Sequence, residues 1–152
     1  IVTMEADNTS DISILPAMVS ISELGFDLVL ASVYAQGGGF DKTSFFRKFI
    51  SFGANMMMRY FFNINVLTIS SFYRVYSLQI IKKINAKYAP VIENRGFICM
   101  LEVLLKAIRL NASVIEVPMK LYSQKRQGKS KMKIVVTTFN YLSFLFKNRK
   151  IK

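Results

Sequence analysis

There is no histidine in these 152 residues, no tryptophan, and a single cysteine, Cys99. Without histidine, a Ser-His-Asp triad, a histidine general base and a histidine metal site are excluded, and most hydrolase mechanisms go with them. One cysteine forms no intrachain disulfide and fits a reducing compartment; set in an apolar run, it reads as a small core residue. No uninterrupted apolar run is long enough to span a bilayer. Charge of each sign is missing from one end. Residues 1 to 40 hold five acids (Glu5, Asp7, Asp11, Glu23, Asp27) and no Lys or Arg, whereas Lys120 to Lys152 hold ten bases and no acid.

What is present is a chain of 52% hydrophobic and 13% aromatic residues, which excludes a disordered polymer. Its length suits one domain over 1–152. A net charge of +12 makes phosphates the natural partners, whether of nucleic acid, an anionic membrane or a phosphorylated small substrate. Nucleic acid is the weakest of these. No helix-turn-helix, zinc-finger or RNA-recognition motif accompanies the basic loop "KRQGKSKMK", and that loop lacks interleaved aromatics.

The element order reads βαβα, then α, β and a basic C-terminal helix. Ile1 to Met4 reads as a buried strand, and "NTSDIS" supplies caps for a helix running to about Leu24, with Pro16 in its first turn and Gly25 past its end. "FDLVLASVY" reads as the second strand of a βαβ unit, which predicts a parallel sheet, and "AQGGGF" as a loop. "TSFFRKFISFGANMMMRYFF" suits a helix buried on one side and touching an anion or a membrane on the other, with Met56, Met57 and Met58 as core filling. "SFYRVYSLQIIKKINAKY" reads as a short strand and a helix, "GFICMLEVLLKAIRL" as a helix, and "SVIEVPMKLYS" as a strand broken at Pro118. Residues 132–152 read as an amphipathic basic helix, suited either to a membrane interface or to packing on the domain.

Three groups carry chemistry. Glu5 and Asp7, two apart after a strand, suit Mg²⁺ or Mn²⁺, though acids there also help start a helix. Arg47 and Ser51, four apart, share a helical face and can grip one phosphate. Lys125, Arg126, Lys129, Ser130 and Lys131 surround Gly128 and can enclose an anion.

In this order the chain resembles family 2 glycosyltransferases of the dolichol-phosphate mannose synthase type. "TMEADNTSD" is similar to the metal motif, "FFRKFISFGAN" to the acceptor-phosphate helix, "TISSFYRVY" to the D-x-T-S-G-[FY]-R-x-Y signature, and "KRQGKSKM" to the R-x-x-G-x-S-K loop. "GFICMLEVLLKA" with "IEVPM" looks like the segment bearing a pocket acid.

The resemblance implies part of a GT-A (nucleotide-diphospho-sugar transferase) fold, an α/β domain with a mostly parallel sheet flanked by helices. The N-terminal nucleotide-binding half is missing, so this portion alone is expected to be inactive. It implies metal on Glu5 and Asp7, acceptor phosphate on Arg47 and Ser51, and donor phosphate on Arg126, Ser130 and Lys131. Asp7, Arg74 and Glu102 are the implied catalytic or pocket groups. The implied partners are a nucleotide diphosphate sugar, a polyprenyl or dolichyl phosphate and the cytoplasmic face of a membrane, reached peripherally or through spans outside this chain. Departures stand at Val33, where an Arg is usual, at Thr68 and Phe72 in the signature, and at Lys125. The competing expectation is a non-catalytic domain that binds lipid phosphate or an anionic membrane.

Overall fold

A computed structural model describes residues 1–42, 45–96, 98–126 and 143–144, and of Phe46, Arg47 and Ile50 the backbone alone. In chain order the elements are β1 (Val2–Thr3), α1 (Leu15–Glu23), β2 (Leu28–Ser32), β3 (Gly39–Asp41), α2 (Phe45–Phe62), β4 (Arg74–Tyr76), α3 (Leu78–Tyr88), α4 (Ile98–Arg109), β5 (Val114–Pro118) and β6 (Lys120–Tyr122).

Strand β2 reads "LVLAS", and every one of its residues is buried, as a central strand covered on both faces requires. Alternation sends Leu28 and Leu30 to one side and Val29 and Ala31 to the other. The first pair joins a cluster with Met58, Ile80, Ile84, Leu101 and Leu104, so α2, α3 and α4 cover that face. The second pair packs with Met18, Val75 and Met119, which places α1 and the start of β6 on the opposite face. The result is helix on both sides of a sheet.

The sheet order is β1-β4-β2-β5. β2 and β5 run parallel, but β4 is antiparallel to both β1 and β2. A mostly parallel sheet was the expectation, and the sheet is mixed. The physical reason is that "RVY" (Arg74–Tyr76) inserts between the first two strands, which therefore do not pair as a simple βαβ unit would. β1 is also shorter and more exposed than a buried strand, because it sits at the edge. A second, two-stranded parallel sheet pairs β3 with β6, so "AQGGGF" ends in a strand where a loop was expected.

Local signals otherwise match the elements. Ser77 caps α3 by accepting from the Ile80 N–H, Pro16 lies in the first turn of α1, and Gly25 takes φ +107° after it. Gly38 has no room for a Cβ, which would meet the Ser32 carbonyl oxygen at 2.5 Å. Of the three methionines, Met58 is buried and Met57 packs against the core, while Met56 is exposed. Cys99 is half-buried, with its thiol donating to the Gly96 carbonyl, and is not a core residue. From the basic C-terminal segment, Ser143 is exposed and Phe144 is buried against Phe62 in the larger cluster; the rest of that segment lies outside the described residues.

Between α2 and β4, residues 67–72 form no helix or strand. Their buried peptide groups still need partners. Glu116 on β5 accepts the Leu67 and Thr68 N–H groups at 2.6 and 2.8 Å. Asn55 on α2 donates to the Leu67 carbonyl and accepts from Ile69. Arg74 donates to the Ile69, Ser71 and Met100 carbonyls and is wholly buried. Glu5 accepts the Phe72 N–H, and Thr3 donates to the Phe72 carbonyl. Replacing Arg74 with Met keeps the side-chain bulk but leaves three carbonyls unpaired, so unfolding should be easier by about 2–4 kcal/mol, measured by urea titration.

Candidate functional site

Glu5 and Asp7 lie in the turn that follows β1, two and four residues past its end. That turn is tied down. Ser10 bridges Leu121 in antiparallel fashion, and the Tyr122 N–H donates to the Thr9 carbonyl at 2.8 Å. The same tie brings the chain beyond β6 back to the acids, so that Arg126 meets Asp7 across 119 residues of sequence. Its Nε and Nη2 lie 2.9 and 2.8 Å from Asp7 Oδ2.

The other acid oxygens are also engaged. Asp7 Oδ1 accepts from the Thr9 N–H and hydroxyl, Glu5 Oε2 from the Ser10 hydroxyl, and Glu5 Oε1 from Phe72. Burial alone would push the Asp7 carboxyl up, but the two Thr9 bonds and the Arg126 guanidinium outweigh it and hold the group below its ordinary value. Each Glu5 oxygen keeps a lone pair to spare, whereas both oxygens of Asp7 are filled. A divalent ion therefore fits this donor set only in exchange for the guanidinium. Among the described residues no third acid, cysteine or histidine joins the pair.

Beside Glu5 is a cavity of about 140 Å³, whose lining does not include Asp7, close to the ~150 Å³ that admits one six-membered ring. Glu5, Tyr34, Ser51, Thr68, Ser70 and Ser71 supply its polar lining, and Val33, Phe40, Met119 and Leu121 its apolar part. The structure thus brings Glu5 from the first turn and Ser51 from α2 into one pocket. Tyr34, two residues past the end of β2, donates its hydroxyl to Ser51 Oγ at 2.9 Å. Arg47 lies on α2 one turn before Ser51, with its side chain outside what is described, and Ser130 and Lys131 lie outside the described residues.

Two of the sequence candidates are placed elsewhere. Arg74 is 0% exposed and spends its donors on backbone carbonyls and the Tyr76 hydroxyl. Glu102 is 5% exposed, bonded to Lys106 at 2.7 Å and accepting from the Glu93 and Asn94 backbone and the Asn94 side chain. Neither lines the pocket. Both are internal ties, for the reason that each is surrounded by peptide groups without regular partners. Sequence reasoning passed over Tyr34 and Glu116. The signal for Glu116 was a lone acid in the alternating strand "VIEVP", on the same face as Val114.

No family model matches the chain. It is 26% identical over 132 residues, 87% of its length, to a polyprenol monophosphomannose synthase of Mycolicibacterium smegmatis. It is likewise 26% identical over 132 residues to an undecaprenyl-phosphate mannosyltransferase of Micrococcus luteus. The chain is similar to polyprenyl-phosphate mannosyltransferases. It covers 48% and 52% of those two proteins, so it spans about half the length of the curated relatives it matches. The family resemblance read from the motifs therefore has its counterpart in similarity over 87% of the chain.

Glu102 also makes a pH prediction. Burial would raise its carboxyl, but Lys106 and the Asn94 and Glu93 donors bring it below its ordinary value. A folded value below the unfolded one means stability that is present above the unfolded value and lost as pH falls through the folded one. Acid titration of thermal stability should show this loss below the ordinary carboxylate range, and Glu102→Gln should remove that part of the slope.

Proposed function

We propose that this chain forms the acceptor-side portion of a glycosyltransferase that moves a hexosyl group from a nucleotide diphosphate sugar to a polyprenyl phosphate. The observation that supports it most is the single cavity shared by Glu5 and Ser51, residues whose motifs carry the donor and acceptor ends of the resemblance. The names of the two relatives favour mannose as the hexose and a long prenyl phosphate as the acceptor.

In this reading a phosphate oxygen of the acceptor attacks the anomeric carbon, forming the new C–O bond as the bond to the nucleoside diphosphate breaks. The acceptor is already an anion, so no general base is needed, and a chain without histidine suits that chemistry. Ser51 and Arg47 orient the acceptor phosphate. Arg126, Ser130 and Lys131 meet the donor diphosphate, with Arg126 exchanging Asp7 for a phosphoryl oxygen. When bound on Asp7 and Glu5, Mg²⁺ or Mn²⁺ supplies neutralisation of the departing diphosphate.

Helix α2 supports a membrane surface as the place of reaction. Phe45, Phe49, Phe52, Met56 and Tyr60 recur at three- and four-residue spacing and are all at least half exposed, Phe45 and Tyr60 at 83% and 86%. This apolar stripe runs most of an 18-residue helix, about 27 Å, and Lys48 and Arg59 flank it. Such a face lies in a headgroup region with its cations turned to lipid phosphate. Ser51 is on the same helix, which would put the phosphate in the pocket and the prenyl tail along the stripe. Among the described residues no helix is long and apolar enough to cross a membrane.

The test presents the full-length protein with labelled nucleotide diphosphate hexoses and anionic vesicles containing polyprenyl phosphate. Hexose should appear on the lipid, and changing Phe45, Phe49 and Tyr60 together to Ser should reduce vesicle flotation and transfer in parallel. Vesicle binding with no transfer from any donor would favour the non-catalytic lipid-phosphate domain instead. Mn²⁺ binding, followed by electron paramagnetic resonance, should tighten about two- to fivefold in Arg126→Ala, which removes the competing cation. It should be lost in Asp7→Asn; unchanged affinity in both would refute the metal assignment.

A further inference from the structure

A serine hydroxyl carries one proton and two acceptor lone pairs, so what it binds depends on where that proton points. In the middle of a helix it commonly turns back to the carbonyl four residues earlier. Ser51 stands mid-helix on α2, and the side-chain bond it makes among the described residues is the one it accepts from Tyr34, at 2.9 Å.

Tyr34 is held to that direction from three sides. Its ring meets Phe40 of β3 and Phe52 of α2 edge-on, at centroid distances of 5.7 and 6.0 Å. Its backbone N–H and that of Ala35 both turn onto Ser32 Oγ, which is itself bonded to Thr68 at 2.6 Å. The turn then closes through the Gly38 N–H to the Ala35 carbonyl, at a position where only glycine fits. Burial pushes the phenol up, with the Ser51 bond opposing in part, so it stays protonated and remains a donor at neutral pH. Both residues line the cavity.

We infer that Tyr34 is a positioning residue: its hydroxyl fills one lone pair of Ser51 Oγ and leaves the serine's own proton to donate to an anionic oxygen in the pocket. This gives the site a directed donor where Val33 supplies no guanidinium. It rests on the reading of Ser51 as a ligand of the acceptor phosphate.

The experiment measures equilibrium binding of farnesyl monophosphate in neutral detergent micelles to the full chain, with farnesol as the phosphate-free control. Tyr34→Phe keeps the ring and its edge contacts, and a circular dichroism melt confirms that it folds. Phosphate-dependent binding should weaken about three- to tenfold in Tyr34→Phe, with farnesol binding unchanged. On a Ser51→Ala background the same change should add nothing, a result that a purely packing role would not give. If Ser51→Ala weakens binding and Tyr34→Phe does not, or if their effects add, the inference is overturned and the phosphate role of Ser51 stands. If Ser51→Ala is without effect, or the unchanged chain shows no phosphate-dependent binding, the role of Ser51 fails and the inference with it.

Discussion

Much around the pocket depends on how a partly buried stretch of backbone without helix or strand is kept hydrogen-bonded. Residues 67–72 lie between α2 and the sheet, and an unpaired peptide group there would cost about 1–3 kcal/mol. Five side chains from four separate segments, Thr3, Glu5, Asn55, Arg74 and Glu116, take up eight of the backbone groups of this stretch. With the backbone fixed, Thr68, Ser70 and Ser71 are fixed as pocket walls. The pocket wall at Thr68 and Ser71 is therefore built on the same hydrogen bonds that satisfy this backbone.

This constraint changes the meaning of charged residues. Glu5 is both a pocket wall and the anchor of Phe72, so its position does not depend on any ion. Arg74 has the surroundings of a cation dissolved in carbonyl groups. Glu102 and Lys106 form a buried pair whose spare hydrogen-bonding capacity goes to Pro90, Val91, Glu93 and Asn94, fixing the connection between α3 and α4. Asp7 and Arg126 differ from these, being partly exposed and joined across the whole chain. An ion pair of that kind can exchange partners at modest cost, whereas a buried one cannot. Among the described residues, the Asp7–Arg126 pair is the ion pair of the site that can exchange partners in this way.

The two faces of α2 divide the remaining work. One side, through Asn55 and Met58, is part of the core, and Ser51 turns to the cavity. The other side presents aromatic rings to the exterior, next to cations. A helix so divided joins an aqueous pocket to an apolar surface within its own width.

Composition and periodicity were enough for the α/β class and for α1, α4 and the central strand. These rest on local signals: capping residues in "NTSDIS" and at Gly25, an apolar run through 28–32, and an apolar run with one acid in α4. The antiparallel insertion of β4, and the parallel β3–β6 pair, were decided by tertiary pairing, because strand partners are chosen across dozens of residues and leave no mark in either strand alone. The same holds for individual roles. That Arg74 and Glu102 are ties, that Arg126 reaches Asp7 and that Tyr34 directs Ser51 all follow from which peptide groups and hydroxyls folding brings within 3 Å of each other. A sequence states which side chains can donate or accept, and only the fold states what is left for them to bond.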